Sequence, residues 1–94
     1  MASRAAKRIV RSLVTKGFRF KDAHHRLLEL YVDGAPTGIT TFLSHGSPDY
    51  GDELLARMSR QLKLSKARLL ELVDCSLDEA GYVQLLHDNA ELDP

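Results

Sequence analysis

The stretch that decides the fold is His24-His25-Arg26-Leu27-Leu28-Glu29-Leu30-Tyr31-Val32-Asp33-Gly34-Ala35-Pro36-Thr37-Gly38-Ile39-Thr40-Thr41-Phe42-Leu43-Ser44-His45. Its side chains alternate with period two, so His24, Arg26, Leu28, Leu30 and Val32 share one face and His25, Leu27, Glu29 and Tyr31 take the other. Asp33-Gly34-Ala35-Pro36 is a turn signal, and Thr37 to Ser44 is rich in the β-branched and aromatic residues of a strand. With Asp33 to Pro36 as the loop, Val32 pairs with Thr37, and each later pair has residue numbers with the same sum. His24 then opposes His45. Opposed residues of a hairpin have Cβ atoms about 4.5 to 5.5 Å apart, so the two imidazoles share one ligand. Ile39 and Leu43 fall on the face of Leu28, Leu30 and Val32, as a core requires.

Upstream, Ala6, Ile9, Val10, Leu13 and Val14 recur at helical spacing, with Arg4, Arg8 and Arg11 on the opposite side. Residues 3 to 16 therefore read as an amphipathic helix with a cationic outer stripe, Ser3 as N-cap and Gly17 as C-cap. Phe18 to Lys21 is a short strand with both Phe side chains on one face. Downstream the period changes to 3.6. Ser47-Pro48 opens a helix through Leu54, Leu55, Met58 and Leu62; Ser65 caps a second with Leu69, Leu70, Leu72 and Val73. Ser76 to Glu79 has the capping-box pattern ahead of Tyr82, Val83, Leu85 and Leu86. The order α-β-β-β-α-α-α predicts an α+β fold, a three-stranded antiparallel sheet with helices on one face.

Ninety-four residues, 44% hydrophobic and 28% charged, suit a single folded domain over 1–94. No apolar stretch approaches the roughly 20 residues of a membrane span, which predicts a cytoplasmic protein. The acid-free, Arg/Lys-rich residues 1 to 21 also read as a mitochondrial transit peptide, but they run without a break into strand signals. The lone Cys75 excludes an internal disulfide and reads as a small apolar residue. Net charge is zero yet unevenly laid out: eight of thirteen basic residues precede Leu27, and Glu71 to Pro94 carries seven acids and no Lys or Arg. A basic half suits a phosphate-bearing partner; an acidic half shields it, meets a basic neighbour or keeps the chain soluble.

Two histidines about one phosphate divide the work of RNA cleavage without metal or other cofactor. One takes the proton of a ribose 2′-OH and the other protonates the departing 5′ oxygen, while Arg26 offsets charge on the phosphate. Other chemistries fit less well. His24 and His25 point to opposite sides of a strand, and no Cys or carboxylate spacing completes a zinc site. Ser44 and Ser47 have no nucleophile setting, and the glycines form no phosphate loop. A helix-turn-helix about Lys63-Leu64-Ser65 runs into Glu71 and Asp74, which repel DNA phosphates.

Lys16-Gly17-Phe18, Lys21-Asp22-Ala23-His24-His25, Ser44-His45-Gly46 and Arg60-Gln61-Leu62-Lys63-Leu64-Ser65 occur in an order that resembles the HicA family of toxin-antitoxin toxins, across residues 3–73. That resemblance implies a fold like double-stranded RNA-binding domains, ribonuclease activity on messenger RNA, His24 as the catalytic residue and a HicB-type antitoxin as partner. Two departures stand out: Asp22-Ala23 replaces the family's Gly-Ser, and residues 74–94 form an acidic extension with no counterpart. The expected RNA-binding residues are Arg4, Arg8, Arg11, Lys16 and Arg26. A non-catalytic RNA-binding module and a protein-interaction domain using the acidic end are the other two readings.

Overall fold

A computed structural model describes residues 3–22, 26–43 and 48–92. The elements are β1 (Arg4–Ala5), α1 (Ala6–Thr15), β2 (Phe18–Asp22), β3 (Leu27–Val32), β4 (Ala35–Phe42), β5 (Asp49–Tyr50), α2 (Asp52–Gln61), α3 (Lys66–Val73) and α4 (Glu79–Asp88). Strands β2-β3-β4 form a three-stranded antiparallel sheet, and the four helices make the fold α+β as expected.

The central hairpin reaches the expected register by an unexpected route. Asp33 and Gly34 both adopt left-handed backbone, φ 53° and 80°, and close a two-residue turn in place of the expected four-residue loop. Val32 therefore pairs with Ala35 and Tyr31 with Pro36, not with Thr37. Between Pro36 and Thr40 three residues face Leu30 alone, and this two-residue excess shifts the pairing without changing which way side chains point. Past it, Glu29 pairs with Thr40, Leu28 with Thr41 and Leu27 with Phe42, all with numbers that sum to 69 as the expected pairing does. The bulge satisfies its own polar groups. Thr37 donates its hydroxyl to the Leu30 carbonyl at 2.8 Å, and the Gly38 N–H, at φ 83°, donates to Oε2 of Glu29 at 2.9 Å. Glu29 is consequently buried on the outer face, with Lys21 3.7 Å from its other oxygen.

Three boundaries differ from the sequence reading. β3 starts at Leu27, not at residue 24, because Arg26 turns left-handed at φ 54° and leaves the strand's alternation. α1 starts at Ala6 because Arg4 and Ala5 are drawn out as β1 against Tyr50 and Asp49, so Ser3 caps nothing and the Ala6 N–H donates to the Pro48 carbonyl. α2 starts only at Asp52, behind that bridge. At the other end, Ser65 caps α3 as expected by accepting from the Arg68 N–H. Asp78, not Ser76, caps α4: the Ser76 and Leu77 N–H groups are spent on the Glu71 carbonyl.

Ile9, Leu13, Phe18, Leu28, Leu30, Ile39, Leu43, Leu55, Leu62, Leu69, Leu72, Tyr82 and Leu86 make one core between sheet and helices. The acidic extension is part of it. Tyr82 lies fully buried, stacks on Phe18 with ring centres 6.1 Å apart, and donates its hydroxyl to the Leu62 carbonyl at 2.8 Å. Burial also raises the Tyr82 phenol's pKa, so it stays protonated as a donor. Among the described residues no helix is long and apolar enough to cross a membrane. Tyr82→Ala should destabilise the whole domain by about 3 to 5 kcal/mol, read as a lowered midpoint of urea unfolding; a change confined to fraying of α4 would show the helix to be an appendage.

Candidate functional site

The open end of the β3–β4 hairpin is where the sequence reading puts chemistry. The expected catalytic residues His24 and His45 lie outside the described residues, as do Ala23, His25, Ser44, Gly46 and Ser47. The backbone on which they hang is described up to its last rung. The Leu43 N–H donates to the Arg26 carbonyl at 3.0 Å, a contact in the same register as Leu27 with Phe42. β2 ends at the same place, with Asp22 paired to Leu27 after a bulge at Lys21. The Ala6 N–H, at the start of α1, donates to the carbonyl of Pro48, where the described chain resumes after β4.

On the outer face of this end, Leu27 and Phe42 form an apolar pair, and Phe42 is 57% exposed. Half-buried Arg26 directly precedes Leu27 in the chain, and Lys21, on the neighbouring strand, has its ammonium 3.7 Å from Glu29. An exposed aromatic ring is a platform on which a nucleic-acid base stacks. Phe42 was not among the residues singled out from sequence. The signal was available in the parity: in the 69 register Phe42 faces Leu27 on the solvent side, and two large apolar residues together there have no core to enter.

The cations expected to line a phosphate site are largely committed elsewhere. Arg4 donates from Nε and Nη2 to Asp74 at 2.8 and 2.6 Å, and Arg8 reaches the same carboxylate at 3.0 Å. The first two hydrogen bonds hold the Asp74 carboxyl below its ordinary range and the Arg4 guanidinium above its own. Lys16 is 5% exposed and turned inward, its Nζ donating to the Cys75 thiol at 3.2 Å. Arg11 and Lys7 remain exposed on α1. A stripe read as one surface from helical phase is thus split: its acidic counterpart lies within the chain, at the end of α3.

The Asp74–Cys75 corner has a chemistry of its own. Cys75 adopts φ 67° and is exposed, and the hydrogen bond from Lys16 lowers its pKa against the opposing effect of partial desolvation. Neither a family model nor a curated protein nor a solved structure matches the chain.

Two outcomes follow from these shifts. An acid whose folded-state pKa is lowered stabilises the fold above its unfolded pKa, and that contribution disappears as pH falls through the folded value. Asp74 therefore supports the fold near neutrality and stops doing so below the usual carboxylate range of about 4; Asp74→Asn should flatten this part of the acid-unfolding curve. For Cys75, the pH midpoint of alkylation by iodoacetamide should lie below that of a free thiol and rise in Lys16→Met; equal midpoints in the two proteins would show that the contact does not tune the thiol.

Proposed function

We propose that the chain is an RNA-binding domain that cleaves single-stranded RNA without a metal ion, at the open end of the β3–β4 hairpin. The observation that carries this reading is the register. The last described pairs, Leu27 with Phe42 and the Arg26 carbonyl with the Leu43 N–H, keep the sum of 69 from which the opposition of residues 24 and 45 is expected, as far as the left-handed Arg26. Exposed Phe42, paired with half-buried Leu27, supports it, since it supplies a stacking surface at the same end of the hairpin. From the likeness of the sequence to HicA toxins we take, as part of the proposal, a messenger RNA substrate in the cytoplasm, His24 as the catalytic residue and a HicB-like antitoxin as partner.

In this mechanism the scissile phosphate lies between His24 and His45, and RNA that passes round the end of the hairpin stacks a base on Phe42 on the outer face. Neutral His24 accepts the proton of the ribose 2′-OH as its oxygen attacks phosphorus. Protonated His45 gives its proton to the departing 5′ oxygen, leaving a 2′,3′-cyclic phosphate. Repulsion between two charged imidazoles favours the state in which one is protonated and one is not. Arg26 balances the charge that builds on the phosphoryl oxygens.

Purified protein should cut single-stranded RNA in EDTA, and His24→Ala should abolish cutting while binding is kept. Phe42→Ala should weaken binding by about 1 to 3 kcal/mol, read by fluorescence anisotropy. Cleavage unchanged in His24→Ala would remove the mechanism. Binding without cleavage in the unaltered protein would leave an RNA-binding module.

A further inference from the structure

The hairpin tip, at the far end of the sheet from the candidate RNA site, carries a second surface of opposite character. Three clefts of about 350, 460 and 430 Å³ lie between α4 and the tip. The first and second share Val32 and His87, and the second and third share Asp33 and Glu79, so the three adjoin as a shallow trough. α4, at ten residues, gives it a wall about 15 Å long, enough for roughly five residues of extended chain.

The lining mixes aliphatic with polar side chains, carboxylates among them. Val32, Pro36, Val83 and Leu92 are its aliphatic surface, with Val14 47% exposed at one end. Asp33, Glu79 and Glu91 are spaced along it, and among the described residues none of the three carboxylates has an ion-pair or hydrogen-bond partner. The neighbouring stretch cannot neutralise them, because Glu71 to Pro94 contains no Lys or Arg. One guanidinium lines the trough, that of Arg19, and it is held 4.6 Å over the Tyr31 ring. These carboxylates are not a metal site: among the described residues no three metal-ligating side chains cluster.

We propose that this trough docks a short basic segment of a partner protein, in which Lys or Arg alternates with apolar residues. Cations meet Asp33, Glu79 and Glu91 while the intervening apolar side chains cover Val32, Val83 and Leu92. RNA is the wrong ligand here, since its phosphates face three unneutralised carboxylates. A second copy of the chain is a poorer occupant, because its basic segment is folded as helix α1, not extended, and Arg4 and Arg8 are already bound to Asp74. The domain then handles two partners at opposite ends of one hairpin, and the inference stands whether or not the open end cleaves RNA.

The test is to titrate the ¹⁵N-labelled full chain with a blocked hexapeptide of alternating Lys and Leu, up to about 1 mM, beside its Glu-Leu counterpart and a single-stranded RNA. Saturable shifts should appear at Asp33, Glu79, Val83, His87 and Glu91 with the basic peptide alone. Reversal of all three carboxylates to Lys should weaken binding about tenfold, with the melting temperature kept. Should the reversed protein not fold, Asp33→Asn with Glu79→Gln and Glu91→Gln serves the same comparison. Shifts away from the trough, absence of shifts, equal response to the acidic peptide or RNA, or binding indifferent to the carboxylates would overturn the proposal. So would shifts that appear on concentrating the protein alone, which would make a second copy the occupant.

Discussion

The fold and its candidate chemistry both depend on how the chain reverses between β3 and β4. Asp33 and Gly34 take left-handed backbone together, which tightens the turn and misaligns the strands relative to the loop expected from Asp33 to Pro36. The bulge over Thr37 to Ile39 restores the alignment, and it exists because its polar groups have partners: the Thr37 hydroxyl on the Leu30 carbonyl and the Glu29 carboxylate on the Gly38 N–H. A slip of two residues preserves facing, so Ile39 and Leu43 still enter the core; a slip of one would have turned the hairpin inside out. The buried carboxylate of Glu29 is therefore what keeps the far end of the hairpin in step.

Charge laid out unevenly along the sequence is partly neutralised by folding. Asp74 gathers Arg4 and Arg8, Cys75 takes Lys16, and Ser12 donates to the Val73 carbonyl at 2.7 Å, so the end of α3 is fastened along α1. This fastening, with Tyr82 on Phe18, makes the acidic extension part of the domain. Among the charges without such partners, Lys7 and Arg11 stay exposed on α1, and three carboxylates line a trough at the hairpin tip.

Much of this was legible in the residues, and the failures have identifiable physics. The three strands, the four helices, the Ser65 cap and the core faces followed from periodicity. The turn was misjudged because Pro36 was read as loop, whereas an edge strand accepts a residue with no N–H to give. The start of α1 was misjudged because helical phase runs smoothly through Arg4 and Ala5, while a bridge to Asp49 and Tyr50, distant in sequence, overrides it. Lys16 was read as an outer cation, since nothing local signals that a residue fifty-nine positions away will take its ammonium group. Conversely, Phe42 and Leu27 were legible as an apolar pair on the outer face once the register was known.

We propose that the 69 register carries on past Arg26 and Leu43, so that His24 and His45 hold one phosphate. Two-dimensional NOE spectroscopy on the full chain, with the four imidazoles assigned, tests it directly. The account predicts cross-peaks between the ring protons of His24 and His45, within about 5 Å. Resolved ring signals of both residues with no such cross-peak, each showing contacts to different sides of the sheet, would contradict it.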